Sequence, residues 1–491
     1  MRFRLAYGRP PAVAWQGMVA TSQPLATRAG LRVLERGGNA ADATLAAAAV
    51  LCVTEPMSTG IGGDAFALIW RGGTLGGLDA AGPAPQRAWP LAPVEERGPR
   101  SVTVPGAVAG WAALAERYGR LGLDGCLADA IDVAERGFAV GARTAAAWAA
   151  TSGASAAWTA AIVPPELSPP PTRGQVVRLP ELAATLRAIA RDGAGAFYEG
   201  PVAESICSVS WLEPDDLARY QSRWVEPLRV CYRDHDVIEL PPPTQGVAAL
   251  EGLALLEGLK PDLPNQIDCV RLALEDARSR VRDGADVTDL LDPTFLERRR
   301  QQASAAAAEP AGGTVYLCAV DSERMAVSFI QSLFGSFGSG LMAPGTGVVL
   351  QNRGGCFAVE GQVVPGARPY HTIIPGLLLR DGGLVGPFGV MGGSSRHRRT
   401  SSSSPPLSIA GSTRRQLSTS RASGSTASSC GWRKACGSVL RSSSGADTTS
   451  PATTTTSASA AARQSWSTAR RSSAAPIRAR TDTLRASERV R

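Results

Sequence analysis

The chain has 491 residues, a formal net charge of +8 and 44% hydrophobic residues. This length allows one large interleaved α/β unit or two to three ordinary domains, with ample apolar content for a core. No stretch approaches the roughly 20 uninterrupted apolar residues of a membrane span, so we expect no membrane-spanning helix and no membrane partner.

The positive charge is concentrated at the end of the chain. Residues 394–491 contain 17 Lys and Arg against 3 Asp and Glu, so they contribute +14 and leave −6 for the first 393 residues. The net charge therefore gives no reason to expect that the globular part binds nucleic acid, and no specific nucleic-acid partner is predicted.

Cysteine and histidine usage argues against metal sites and disulfides. The nine cysteines are scattered, odd in number and without a CxxC pair, which favours free thiols in a reducing compartment. Three histidines are too few and too dispersed for a metal cluster, so neither a metal nor a cofactor is predicted. Residues 1–17 contain arginines but no continuous apolar run, which does not indicate a signal peptide. A cytoplasmic location is expected.

Short strands alternate with helices along the first 260 residues. The assignment of these elements rests on the helical spacing of apolar residues, on glycines just past the periodic segments, and on Asn39 or Asp42 as a helix cap. The predicted elements are a strand at 17–22, helices at 27–36 and 43–53, strands at 66–70 and 100–104, helices at 107–119, 127–136 and 179–191, a strand at 236–240 and a helix at 247–259.

Two further strands follow Gly312-Gly313. Residues 314–320 and 326–332 are apolar and β-branched, and a charged turn joins them. The glycine pair frees the backbone just ahead of Thr314, and the Ala-rich segment 301–311 before it is predicted to be an exposed linker. Taken alone, Thr314 is an ordinary first residue of a strand.

The segment Gly313-Thr314-Val315-Tyr316, the hairpin after it and the loop Gly60-Ile61-Gly62-Gly63 resemble the gamma-glutamyltransferase family of N-terminal-nucleophile hydrolases. The resemblance covers about 17–393 and implies an α/β fold, a four-layer αββα sandwich. Strands predicted across 347–352, 368–375 and 386–393 would complete this sandwich. It also implies that the precursor cuts itself before Thr314. The new terminal threonine would be the nucleophile, and its α-amine, which titrates near ~8, would be the general base.

This resemblance divides the chain into three regions. Residues 1–313 would form the large subunit with a linker at its end, and residues 314–393 would begin the small subunit. The two chains of the one precursor would remain partners. Ser332 matches a family hydroxyl that contacts the nucleophile and aids autocleavage. Gly392 and Gly393 match the glycine pair whose backbone N–H groups form the oxyanion hole.

The substrate-binding positions depart from the family pattern. Ala81 stands where the family has its glutamate-recognising arginine, and Phe334 replaces an asparagine. Arg353 and Cys356 replace the residues that hold the substrate's ammonium and carboxylate in the family. His371-Thr372 replaces a serine pair. Arg353, His371 and Thr372 are the predicted substrate-binding residues, and Arg353 is a candidate partner for a carboxylate.

Two activities are compatible with these changes. The first is cleavage of a gamma-glutamyl, glutathione-type amide or peptide, with transfer of the acyl group to water or to an amine. The alternative is a related amide acylase of the cephalosporin or glutaryl type, with a different acyl specificity. Both take a small-molecule amide or peptide as substrate, and the missing arginine favours the second.

The composition changes abruptly after Gly393. About a quarter of residues 394–491 is serine, and helical and strand periods vanish. A one-base shift of frame lets Gly393–Thr400 encode Phe-Ile-Gln-Ala-Pro-Ala-His, which is similar to the family's segment after the glycine pair. We interpret the tail as a frameshift that disrupts the C-terminal part of the fold and leaves the chain poorly folded and little processed. The alternatives are a disordered basic tail that binds nucleic acid nonspecifically and an inactive product.

Overall fold

The computed structural model describes residues 12–88, 94–152, 164–302 and 313–391, and it alternates helices and strands throughout. The strands are β1 Met18–Ala20, β2 Asp64–Arg71, β3 Thr74–Ala80, β4 Phe138–Ala139, β5 Val176–Val177, β6 Arg223–Val225, β7 Leu228–Tyr232, β8 His235–Glu239, β9 Gly313–Val320, β10 Ala326–Phe334, β11 Met342–Ala343, β12 Val348–Val349, β13 Gly376–Arg380 and β14 Gly383–Phe388. The α-helices are α1 Pro24–Glu35, α2 Ala40–Thr54, α3 Ala107–Tyr118, α4 Gly122–Arg136, α5 Ala142–Ser152, α6 Pro180–Asp192, α7 Gly195–Tyr198, α8 Gly200–Val209, α9 Pro214–Ala218, α10 Gly246–Leu256, α11 Leu263–Arg280 and α12 Pro293–Arg300.

Within the described residues, the larger sheet has six antiparallel strands in the order β1-β9-β10-β2-β3-β6. The predicted hairpin is confirmed as β9 and β10, which pair along most of their length. β9 also pairs with β1, and β10 pairs with β2, so that Ser332 lies opposite Asp64. Strands from both sides of the predicted cut before Thr314 therefore belong to one sheet.

The smaller sheet has the order β14-β13-β8-β7 and shares an apolar cluster with the larger one. Phe66 and Ile330 from the larger sheet meet Ile238 and Leu377 from the smaller sheet in this cluster. The opposite face of the smaller sheet packs on α10 and α11, and the opposite face of the larger sheet packs on α1 to α4. Burial of apolar surface on both faces of each sheet stabilises this arrangement.

Helix α2 lies at the centre of the larger cluster, with all 15 of its residues buried. Its alanine-rich sequence has no polar face, which is typical of a helix that is enclosed on all sides. Asn39 is the N-cap residue, and it forms a capping box with Asp42. The helix ends at Thr54, just before the glycine loop that leads to β2.

Three strand predictions were wrong. Residues 100–104 begin in a 3-10 turn at Pro99–Ser101, and 347–352 reduce to the two-residue strand β12. Residues 368–375 form a loop, because Pro369 and Pro375 offer no backbone N–H to a ladder. Among the described residues, no helix is long and apolar enough to cross a membrane.

Candidate active site

Thr314 and Ser332 lie side by side on neighbouring strands. The Thr314 Oγ1 atom is 3.1 Å from the Ser332 Oγ atom, and either hydroxyl can donate the hydrogen. Thr314 is half-buried and Ser332 is fully buried. The Phe334 backbone N–H donates to Ser332 Oγ over 2.8 Å and so orients this hydroxyl. The two hydroxyls that the sequence predicted to act together are therefore in contact.

A bulge at the end of β10 shapes this corner of the sheet. The β9–β10 register shifts between Gln331 and Phe334, which places Phe334 opposite Gly313. Phe334 has a φ of 71°, in the left-handed region that a phenylalanine rarely adopts. Strained backbone of this kind persists only where the surroundings impose it, and it is frequent at functional sites.

The glycine loop before β2 allows close approach to the hydroxyl pair. A Cβ atom at Gly63 would overlap the Ser332 carbonyl oxygen, and one at Gly62 would overlap the Val349 carbonyl oxygen. The Gln351 N–H donates to the Gly62 carbonyl over 2.9 Å. These glycines therefore let β10 and the segment after β12 pack directly on the loop.

Asp64, the first residue of β2, is a buried site residue that the sequence analysis missed. Its Oδ1 atom accepts hydrogen bonds from the Gly82 N–H (3.0 Å), the Gly106 N–H (3.2 Å) and Gln351 Nε2 (3.0 Å). Its Oδ2 atom lies 2.9 Å from His371 Nε2. An acidic residue at the start of an otherwise apolar, buried strand is the signal that could have identified it.

His371 is fully buried against Asp64. Its Nδ1 atom lies 2.6 Å from the Pro369 carbonyl oxygen, and its ring packs against Phe66 with 5.0 Å between centroids. Burial lowers the pKa of His371, the nearby Arg353 lowers it further, and the hydrogen bond to Asp64 acts in the opposite direction. His371 thus links the 368–375 loop to the strand beside Ser332.

Arg353 is a buried, charged residue of the site, and two of its three guanidinium nitrogens have no hydrogen-bond partner among the described residues. Its side chain is fully buried, and its guanidinium lies 4.5 Å from the centre of the Phe334 ring. Nη1 has a weak contact with Cys356 Sγ at 3.7 Å, whereas Nε and Nη2 have no hydrogen-bond partner in the described part of the chain. A buried cation that lacks an acceptor is costly, which indicates a place for an anionic group.

Arg368 provides a contrast within the same loop region. It is also buried, but its Nη1 donates to Asp79 Oδ2 over 2.8 Å and its Nη2 donates to the Gln221 carbonyl over 2.9 Å. Burial raises the pKa of Asp79 to about 6, although the Arg368 charge opposes this shift. Arg368 therefore has a structural partner that Arg353 lacks.

The structure describes only some of the other predicted site residues. Thr372 is half-buried, and its carbonyl accepts a hydrogen bond from Gln245 Nε2 over 3.1 Å. Ala81, at the position of the family's arginine, is buried, and its carbonyl accepts from the Tyr220 hydroxyl. Gly392 and Gly393 lie outside the described residues, as does the tail. Within the described ranges, no group of three or more His, Cys, Asp or Glu could hold a metal ion.

The fold with this hydroxyl pair is that of the N-terminal-nucleophile hydrolases of the transpeptidase and acylase type. It is similar to a cephalosporin acylase from Bacillus halodurans, with a TM-score of 0.72, 38% identity and coverage of 79% of this chain and 80% of that one. It is also similar to the Helicobacter pylori gamma-glutamyltranspeptidase, with a TM-score of 0.55, 26% identity and coverage of 61% and 95%.

The sequence profile of the gamma-glutamyltranspeptidase family matches residues 26–401, and the chain belongs to that family. It is 34% identical to the oxamate amidohydrolase proenzyme of Klebsiella pneumoniae, over 78% of this chain and 80% of that protein. It is 32% identical to the glutathione hydrolase-like YwrD proenzyme of Bacillus subtilis, over 77% and 79%. The family resemblance predicted from the sequence is confirmed.

Proposed function

We propose that this protein is an autoprocessing amide hydrolase or acyltransferase whose nucleophile is Thr314. The observation that carries the proposal is the 3.1 Å contact between the Thr314 and Ser332 hydroxyls at the ends of two paired strands. The relatives named as proenzymes support a cut that separates residues 1–313 from the chain that begins at Thr314. The two chains would stay together, because β9 and β10 pair with β1 and β2.

The proposed reaction has two steps. The freed α-amine of Thr314 accepts the proton of the Thr314 hydroxyl as its oxygen attacks the substrate carbonyl. The amide C–N bond then breaks, the leaving amine takes the proton, and an ester joins the acyl group to Thr314. Water or an acceptor amine attacks this ester and releases the acyl product. Ser332 would orient the threonine hydroxyl, and the N–H groups of Gly392 and Gly393 would stabilise the oxyanion.

Two acyl groups are candidates, and Arg353 favours one of them. A γ-glutamyl group carries a carboxylate and an ammonium, whereas a glutaryl-type group carries the carboxylate alone. The unpartnered N–H groups of Arg353 suit a carboxylate. The family's glutamate-recognising arginine is replaced here by the buried Ala81, which cannot recognise a γ-glutamyl group in that way. We therefore favour an acylase for carboxylate-bearing groups without an ammonium, with Arg353, His371 and Thr372 forming the pocket.

The names of the relatives are consistent with either acyl group. One is named for oxamate, which carries a carboxylate beside its amide and no ammonium, and another is a cephalosporin acylase. A third is named for glutathione hydrolysis. Turnover of glutaryl-p-nitroanilide and γ-glutamyl-p-nitroanilide by the self-cleaved chain, with the reading frame after Gly393 restored, separates the candidates. We expect a higher kcat/KM for the glutaryl compound, and a clear preference for the γ-glutamyl compound would reject this choice.

We also propose a four-layer αββα sandwich and a disrupted C-terminus. The apolar cluster between the two sheets, with helices packed on both outer faces, supports the layers. The serine- and arginine-rich composition after Gly393 supports a shifted reading frame, and an inactive product remains the alternative for the chain as written. A cytoplasmic location stays a proposal, to which the free thiols of the seven described cysteines lend support.

A further inference from the structure

The hydrogen bonds of Asp64 and His371 determine how many protons this buried pair holds. The Pro369 carbonyl oxygen can only accept, so His371 Nδ1 must carry a hydrogen. The contact between His371 Nε2 and Asp64 Oδ2 needs one more hydrogen, on either atom. The pair is therefore an imidazolium with a carboxylate or an imidazole with a carboxylic acid. Both arrangements hold two protons and have no net charge.

The charged and titratable groups around the pair leave one charge unbalanced. Tyr198 and Tyr220 face Asp64, and burial raises the pKa of each far enough to keep the hydroxyl neutral. Asp79 is paired with Arg368. Arg353 acts on His371, and its Nε and Nη2 lack acceptors within the described residues. With Asp64 neutralised by His371, the Arg353 charge stays available to a ligand.

We propose that Asp64 and His371 are positioning residues that keep the pocket at one net positive charge, so that it selects a monoanionic acyl group. This inference rests on the proposed function, in which Arg353 binds the substrate carboxylate. If His371 were lost, Asp64 would lose the partner that neutralises it, and its negative charge would offset the Arg353 charge. Asp64 lies opposite Ser332 in the β2–β10 pairing, so the pair also fixes the pocket relative to the hydroxyls.

The test measures binding of glutaramate, a monoanion with a carboxylate and an amide, to the full-length chain by calorimetry at neutral pH. For His371→Ala, we expect at least tenfold weaker binding than for the unaltered chain, because the Asp64 charge then offsets Arg353. In the double variant Asp64→Asn, His371→Ala that carboxylate is absent. Its affinity should be at least tenfold higher than that of His371→Ala.

The matched control is His235→Ala, which removes another buried histidine, at the start of β8. Its affinity should equal that of the unaltered chain. Equal affinity in His371→Ala and this control would overturn the inference. So would a double variant as weak as His371→Ala. If His371→Ala is insoluble, a soluble double variant that binds glutaramate supports the inference, and a double variant that is also insoluble or does not bind overturns it.

One further variant separates this inference from the proposed function. Arg353→Gln should lose glutaramate binding at least tenfold. If Arg353→Gln binds as the unaltered chain does, both the acyl assignment and the role of the pair are rejected. If only Arg353→Gln loses affinity and His371→Ala binds as the unaltered chain does, the acyl assignment stands and the role of the pair is rejected.

Discussion

Replacing Arg353 by methionine should raise the stability of the protein and lower its activity. In the free protein the guanidinium is fully buried, and Nε and Nη2 have no acceptor. An apolar side chain of similar length removes an uncompensated buried charge, so we expect the free energy of unfolding to rise by about 1–4 kcal/mol. Against a carboxylate substrate, two charge-assisted hydrogen bonds of about 1.5–3 kcal/mol each are lost. The expected fall in kcat/KM is therefore at least about 100-fold.

The assays are urea unfolding and hydrolysis of glutaryl- and butyryl-p-nitroanilide, which differ by the carboxylate. The butyryl compound should be hydrolysed with little change. The matched control is Arg368→Met, in which a paired buried arginine is lost and Asp79 is left alone. This control should destabilise the protein by about 3–5 kcal/mol. The reasoning about Arg353 is refuted if Arg353→Met destabilises the protein similarly, or if both substrates lose the same factor.

Two further predictions concern the surroundings of the site, and a third concerns a buried carboxyl group on α10. Ser332→Ala should slow turnover about 3- to 10-fold, since one hydroxyl contact to Thr314 is lost, and unchanged single-turnover rates would argue against that role. Gly63→Ala should cost about 1–3 kcal/mol in urea unfolding because its Cβ overlaps the Ser332 carbonyl, whereas Gly195→Ala, with open space, should be nearly neutral. Burial raises the pKa of Glu251 to about 9, so it is protonated in the folded protein and ionised when unfolded. The free energy of unfolding should therefore fall as the pH rises from about 4.5 to 9, by at most roughly 1.4 kcal/mol per pH unit. Glu251→Gln should flatten that fall, and an unchanged slope would contradict the prediction.

The sequence predicted the parts of the fold that local patterns determine. The β9–β10 hairpin alternates apolar residues about a charged turn, and α2 begins at a recognisable Asn39 cap, so both were found. The strand expected at 368–375 from the family resemblance was wrong, because the prolines of this segment prevent a regular ladder. The resemblance did not reveal this local constraint on backbone hydrogen bonding.

The sequence predicted contacts between site residues only where a family motif contains those residues. Thr314 and Ser332 are 18 residues apart on one hairpin, and the motif placed both. Asp64 and His371 are 307 residues apart, and their contact depends on how β2 pairs with β10 and on where the 368–375 loop lies. The lack of acceptors around Arg353 is likewise a property of the assembled core, which no single segment of sequence contains.

The central claim is that Thr314 becomes reactive when a cut before it frees its amine. The most direct test is intact mass of the chain, with the reading frame after Gly393 restored, compared with its Thr314→Ala variant. We expect two fragments, the second beginning at Thr314, with amide hydrolysis, and one uncut inactive chain for the variant. Amide hydrolysis by an uncut chain, or full turnover with alanine at position 314, would contradict the account.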